Sequence, residues 1–413
     1  RGIGVRVKPR HCHVWRPPRV QRFDDCDRRE DVTSIACVCW HATLSNHHAI
    51  ERKDIHMTRS TAPGIPWRLT AAAAMLLAAA TGAHAFEAKI SGQVNRLMTQ
   101  VDDGTDSKLF HADNVNSQTR FRFTGEQEVQ PGLKAGINWE VGYTSNPSSG
   151  ISFTTRSVDA TFNERHADLY LTGYWGKVSL GQGDGAANGG MEVDLSGTTV
   201  IHYSGITDIG GNFAFRENGA FGPTIASTIG NLDFESRYDR IRYDSPNFGP
   251  VKLSGSFGTK GNNEVYELAA WGASAFAGGK VAGALGWSRE RKGGLAGNED
   301  ALGASVSWLA PYGLNLTLAG GTSEDDNPAV SKKKFAYAKV GYIVGKHAVS
   351  VDYGRGDDFA VAGDQADTFG LGYVYTPQKW LELYAGVKQH QLDRPGSSFD
   401  NVSFVTVGSR LKF

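Results

Sequence analysis

The sequence predicts an all-β fold: a transmembrane, antiparallel, up-and-down β-barrel of sixteen strands. Three observations carry that prediction. The segment NVSFVTVGSRLKF (401–413) alternates, with Val405, Val407, Leu411 and Phe413 on one face and Thr406, Arg410 and Lys412 on the other. A period of two belongs to a sheet with a different solvent on each face, and a strand closing on an outward aromatic fits lipid on one side and water on the other. The second observation is a secretory leader well inside the chain. The third is an alternation of tight turns with long polar links.

The leader starts at Met57. Arg59 and Arg68 form a basic region, LTAAAAMLLAAA (69–80) an apolar core, and Ala83-His84-Ala85 a small-x-small cleavage site. The core is much shorter than the roughly 20 residues a spanning helix needs. We therefore expect a signal peptide over 57–85 and a mature β-barrel domain over 86–413. Residues 1–56 lack helical or strand periodicity and read as untranslated upstream sequence or a disordered leader. Their His11-Cys12-His13 and Cys37-Val38-Cys39-Trp40-His41 clusters miss the spacing of a zinc site.

Without residues 1–85 the composition shifts. All four cysteines (Cys12, Cys26, Cys37, Cys39) lie there, with 13 of the 43 Lys and Arg and 7 of the 43 Asp and Glu, so 86–413 carries 30 cations against 36 carboxylates. That net charge of −6 argues against a nucleic-acid partner, which favours a basic face. No disulfide or thiol chemistry remains, and no cofactor or metal is expected.

The short connections are Pro131-Gly132, Tyr174–Lys177, Ser245–Pro250, Ala277–Lys280, Pro311–Gly313, Gly345-Lys346 and Thr376–Lys379, rich in Gly, Pro and Asn as tight turns require. Between them fall longer polar links near 102–117, 146–162, 184–236, 259–264, 290–300, 323–332, 357–366 and 391–401. Such alternation places all turns at one end of a barrel and all long links at the other.

Faces are legible within strands. In TRFRFTGE, Phe121 and Phe123 alternate with Arg120, Arg122, Thr124 and Glu126; in SRYDRIRYDS, Ile241 and Tyr243 alternate with Arg240, Arg242 and Asp244. An arginine facing lipid near the midplane costs about 2 to 4 kcal/mol, so these arginines face the lumen. Sixteen strands leave an aqueous channel where eight would be filled by side chains. Tyr143, Tyr170, Tyr174, Trp175, Trp271, Trp287, Trp308, Tyr312, Tyr342, Trp380 and Tyr384 fall near strand ends and suit interfacial girdles.

RHADLYLTGYWGKVSLGQGD (165–184) resembles the fourth and fifth strands of the Gram-negative trimeric porins, RIRYDSPNFGPVKLSGSFG (240–258) is similar to their sixth and seventh, and SRLKF resembles their C-terminal assembly signal. The resemblance covers 86–413. It implies a homotrimer in the outer membrane of a Gram-negative bacterium, with the long third loop folded into each lumen. It also implies acidic groups on that loop facing a basic wall across a constriction. The loop acids are Asp184, Glu192, Asp194, Asp208 and Glu217; the wall candidates are Arg120, Arg122, Arg165, Arg240 and Arg242. Simple alternation puts Arg165 with Ala167, Leu169 and Leu171 on the lipid side, so it reaches the lumen only through a bulge or the strand's end. Leu180-Gly181-Gln182-Gly183 lacks the wall arginine that the family often carries there. Leu411 and Phe413 would form the assembly signal read by the barrel-assembly machinery.

The implied function is passive, size-limited diffusion of small hydrophilic solutes and ions, with selectivity set at the constriction. A substrate-preferring channel for organic anions or phosphate is the nearest variant. An outer-membrane barrel enzyme would need a histidine base from among His111, His166, His202, His347 and His390, and His166 with Asp168, two residues on and on the same strand face, would be a candidate dyad. An adhesin would need a plugged lumen; the acidic links VDDGTDS (101–107) and GRGDDFAVAGDQAD (354–367) suit instead a solvated surface that bridges cations to lipopolysaccharide.

Overall fold

The computed structural model describes residues 87–293 and 297–413. The leader readings over 1–56 and 57–85 lie outside the described residues. The strands are β1 (Glu87–Asp102), β2 (Ser107–Asp113), β3 (Arg120–Gln130), β4 (Leu133–Thr144), β5 (Thr161–Gly173), β6 (Gly176–Asp184), β7 (Ala214–Glu217), β8 (Ala220–Thr224), β9 (Arg237–Asp244) and β10 (Val251–Lys260). They continue with β11 (Asn263–Phe276), β12 (Gly279–Arg291), β13 (Asn298–Leu309), β14 (Leu314–Asp325), β15 (Lys333–Val344), β16 (His347–Asp357), β17 (Gln365–Gln378), β18 (Leu381–Asp393) and β19 (Val402–Lys412).

All but β7 and β8 join one antiparallel sheet that closes on itself through β1 and β19. β2 and β3 are two halves of one wall strand. β1 pairs with β3 from Glu87↔Glu126 to Gln93↔Arg120 and with β2 from Arg96↔Asp113 to Asp102↔Ser107. The wall is therefore a closed barrel of sixteen strands, a form with no unpaired edge. The break between the halves holds a single 3₁₀ turn, Val115–Ser117, capped by the Asn114 side chain accepting from the Asn116 N–H at 3.0 Å. That break lifts residues 115–118 off the sheet.

Outward positions carry the apolar band that lipid requires: Leu169, Leu180, Ile241, Leu253, Leu268, Leu285, Leu302, Leu318, Val351, Leu371, Val405 and Val407 all stand exposed. Inward positions carry buried polar groups such as Asn95, Glu140, Glu267, Ser307, Asp352 and Thr368. Among the described residues no helix is long and apolar enough to cross a membrane; the strands do the crossing.

Two links differ from the sequence reading. The link placed at 102–117 contains β2, because Lys108, Phe110 and Ala112 alternate with Leu109 and His111 and find β1 to pair with. The link placed at 259–264 is only Gly261-Asn262: Lys260 pairs directly with Asn263, and Gly261 supplies the positive φ (60°) of the tight turn. Three of the aromatics assigned to girdles point inward, since inward parity on their strands overrides proximity to a strand end. Tyr170 donates to Glu126 at 3.0 Å, Trp271 to the Ala186 carbonyl at 3.2 Å, and Tyr384 to Asn95 at 2.7 Å.

The 185–236 link between β6 and β9 enters the barrel and builds a core of its own. Met191, Ile201, Ile206, Phe213, Phe215, Ile225 and Ile229 are buried against inward apolar side chains of the wall, including Leu97, Val101, Phe110, Phe335 and Phe404. Phe213 meets Phe110, Phe153 and Phe404 edge-on at 5.0, 5.4 and 5.5 Å, burial that contributes about 1.5 to 3 kcal/mol for that ring. The wall makes room with glycine: a side chain at Gly303 would collide with Met191, and one at Gly354 with Ile206.

The barrel seam ends at Gly92 and Phe413, which exchange backbone hydrogen bonds of 2.9 and 3.0 Å. The Phe413 ring lies over Gly92, where any Cβ would come within 2.5 Å of it. Deleting Phe413 removes both bonds at a lipid-facing seam and is expected to cost about 2 kcal/mol. The heat-modifiability transition in detergent should fall accordingly; an unchanged transition would show that closure does not depend on this contact.

Candidate functional site

Three arginines of the described wall gather around one carboxylate. Arg120 opens β3, Arg122 follows two residues on, and Glu140 of β4 pairs with Arg122 in register. Glu140 is fully buried and serves as a common acceptor: Arg122 Nε donates to it at 2.5 Å, Arg165 Nε donates to its other oxygen, and Arg120 lies 3.8 Å away. One carboxylate among three guanidiniums leaves a surplus of positive charge on this wall.

Arg165 belongs to this group because of a bulge. The β4–β5 register jumps from Glu140↔His166 to Val141↔Glu164, so Arg165 is the extra residue and turns inward. Arg237 joins it from the start of β9, with Nε 2.8 Å from Asp184. Its parity matches Ile241 and Tyr243 on the lipid side. The preceding residues Leu232, Phe234 and Ser236 have φ of 53°, 55° and 60°, a left-handed path that breaks the alternation.

Facing this wall, the inserted link presents Glu192, Asp208 and Asp233. Asp233 accepts from the N–H groups of Gly189 and Met191 at 2.7 and 2.8 Å, Glu192 accepts from Asn231 at 2.8 Å, and Tyr203 donates to Asp208. Wall and link enclose a cavity of about 500 Å³ lined by Arg120, Arg165 and Arg237 on one side and by Glu192, Asp208, Asp233 and Tyr203 on the other. Gln118 and the lifted residues 115–117 close its edge.

A family model for Gram-negative porins matches residues 70–395. The chain belongs to the Gram-negative porins. Comparison with curated proteins returned no match. Among solved structures, the fold is similar to an anion-selective porin from Comamonas acidovorans (20% identity, 80% of this chain, 100% of that one, TM-score 0.59). It is also similar to the trimer form of OmpT, an outer membrane protein of Vibrio cholerae (14% identity, 80% and 100%, TM-score 0.52). A third is Salmonella typhi OmpF in complex with daunomycin (15% identity, 79% and 98%, TM-score 0.53). The porin is an outer-membrane channel.

The other sequence candidates sit elsewhere in the porin. Arg240 is inward but buried, bonded to Asp168 at 2.6 Å, and Arg242 is held by Asp244 at 3.0 and 2.8 Å; both line a separate cavity on the turn side. Asp184 ends β6 on the wall and pairs with Arg237, so it is no loop-tip acid. Asp194 faces away from the cavity and pairs with Lys339 of β15 at 2.8 Å, because the link packs that flank against the wall. Glu217 belongs to the β7–β8 hairpin, where it accepts from the Ser398 N–H at 3.2 Å, far from the arginine wall. The His166–Asp168 dyad does not form: Arg240 takes the Asp168 carboxylate, and His166 Nδ1 has no partner. Leu411 and Phe413 face outward at the seam. Asp233, Arg237 and Tyr203 were missed; an acid in a polar link and an arginine of lipid parity carry no local signal.

Burial and crowding tune the link's acids. Glu192 is pushed up to about 7, first by burial and then by the neighbouring Asp208 charge. Burial also raises Asp208, against the Tyr203 hydrogen bond, and raises Asp233, which additionally feels Glu192.

Proposed function

We propose that this porin is a homotrimeric, water-filled channel for passive diffusion of small hydrophilic solutes and ions across the outer membrane, with a preference for anions at neutral and acid pH. It acts as the mature chain 86–413 after removal of a leader over 57–85, makes and breaks no bond, and needs no cofactor. The supporting observation is the constriction cavity, where Arg120, Arg165 and Arg237 face acids whose charged form burial disfavours, Glu192 being pushed up to about 7. Charges farther out on the loops are screened within about 8 to 10 Å at physiological salt, so the constriction dominates selectivity. Lipid and lipopolysaccharide surround the barrel, and the trimer buries part of its outward wall.

The sign of the pH dependence follows directly. A carboxyl raised to about 7 is neutral below that pH and negative above it, while the arginines stay charged throughout. Anion preference should therefore be largest near pH 5 and fall between about pH 6 and pH 8 as Glu192 ionises. The check is the reversal potential of single channels in a salt gradient across that range. The variant Glu192→Gln should keep the acid-pH preference and lose the step near neutrality. A pH-independent potential, or cation preference at pH 5, would overturn the reading.

A further inference from the structure

A second cavity, of about 540 Å³, opens in the arginine wall on the turn side of the constriction. Its floor follows from strand register. Asn138 of β4 sits opposite Asp168 of β5, Asp168 opposite Gly181 of β6, and Gly181 opposite Arg240 of β9. Arg240 reaches along this row to bond the Gly181 carbonyl at 2.8 Å and Asp168 Oδ2 at 2.6 Å.

The hollow is lined by polar atoms without partners. Asp168 Oδ1, Asn138 Oδ1 and His166 Nδ1 are all buried and unbonded, and Asp168 and His166 are only 8% and 7% exposed. Buried polar atoms are normally satisfied, so a cluster of three on one cavity wall marks a place where a ligand's groups belong. Among the lining cations, Arg242 is held in a fork by Asp244, and Lys252 lies 3.4 Å from the same carboxylate. Lys177 has no ion-pair partner among the described residues; its Nζ stands 3.9 Å from the Tyr170 ring centroid. Lys177, whose ammonium has only a ring face for company, therefore lines the same space as Asp168 and Asn138.

We propose that this hollow is a solute-binding station for small carboxylates that carry an N–H or O–H donor close to the carboxylate, the chemistry shared by amino acids and hydroxy acids. Lys177 takes the carboxylate, and Asp168 Oδ1 with Asn138 Oδ1 takes the donor. The station rests on the channel reading above and adds to it a saturable step that simple diffusion lacks.

The test uses the purified porin in planar bilayers in KCl, with glycine, glycolate or acetate added on the turn side and current fluctuations recorded against concentration. Glycine and glycolate should give saturable fluctuations. Acetate, which lacks the donor, should need about tenfold more, the loss expected for one charge-assisted contact in a partly wet site. Lys177→Gln should weaken all three, and Asn138→Leu should weaken glycine and glycolate but not acetate; KCl conductance reports folding of each variant. Linear, non-saturating responses to glycine and glycolate would overturn the station, as would saturation indifferent to both substitutions. If the wild-type porin passes no KCl current, the channel reading fails instead. Calorimetric titration of the detergent-solubilised porin with glycine then decides the station alone: heat lost in Lys177→Gln supports it, and absence of heat in the wild type refutes it.

Discussion

Replacing Arg120, Arg165 and Arg237 together with glutamine is expected to turn the porin from anion-preferring to cation-preferring at pH 8. All three line the cavity proposed as the constriction, and the link opposite supplies Glu192, Asp208 and Asp233. An ion passing within a few ångströms of each guanidinium feels about 1 kcal/mol per charge when the effective dielectric approaches that of water. Three such charges lost together amount to roughly a hundredfold loss for the anion, and cations gain by the same interaction. In a tenfold salt gradient the reversal potential should cross zero, within limits of about 59 mV on either side. At pH 5 the same variant should be less cation-preferring than at pH 8, because Glu192, pushed up to about 7, is then neutral. Glu140 makes single substitutions less informative, since losing one guanidinium leaves its carboxylate to the other two. A triple variant that kept anion preference at both pH values would move the selectivity filter away from this cavity.

Lys339→Met should loosen the inserted link without dismantling the barrel. Lys339 is buried in the wall, with Nζ 2.8 Å from Asp194 and 2.7 Å from the His202 carbonyl, both on the link. Removing the ammonium leaves a buried carboxylate unpaired, which costs about 3 to 5 kcal/mol. Further anchors remain nearby: Val193 and Leu195 N–H donate to Ser305 and Ser307 at 3.0 and 2.9 Å, and Thr198 bonds Ser350 at 2.7 Å. The link should consequently stay inside the lumen yet sample wider positions. Open-channel noise should rise, larger conductance substates should appear, and proteases should cut within 185–236 while the barrel keeps its heat-modifiable gel shift. Adding Asp194→Leu removes the stranded charge and should restore part of the loss, which a double-mutant cycle measures. Quiet single-channel currents in Lys339→Met would show that the hydroxyl anchors suffice.

The barrel was legible because its signals are local. Lipid outside and water inside impose a period of two on every strand, and Gly, Pro and Asn mark the turns, so faces such as Phe121 against Arg120 and Arg122 follow from neighbours in the chain. Legibility failed wherever that period was interrupted. Arg165 sits on a bulge, so parity put it on the lipid side, and Arg237, which follows three left-handed residues, went unremarked, although both line the cavity. Gly261-Asn262 was read as part of a long link because polar residues on both sides concealed a two-residue turn.

The acids of the inserted link were the least legible. Glu192 and Asp194 are two residues apart, yet one faces the cavity and the other Lys339. No period distinguishes them, since the link is neither helix nor strand over most of its length. The amino-acid sequence alone determined an all-β barrel, its inner and outer faces and the long insertion at 185–236, because these depend on alternation and turn chemistry between near neighbours. Tertiary structure alone decided which charges meet. The path of the link is set by Met191 and Ile206 packing into glycine gaps at Gly303 and Gly354, over a hundred residues away along the chain, and those contacts aim Glu192, Asp208 and Asp233 at the arginine wall.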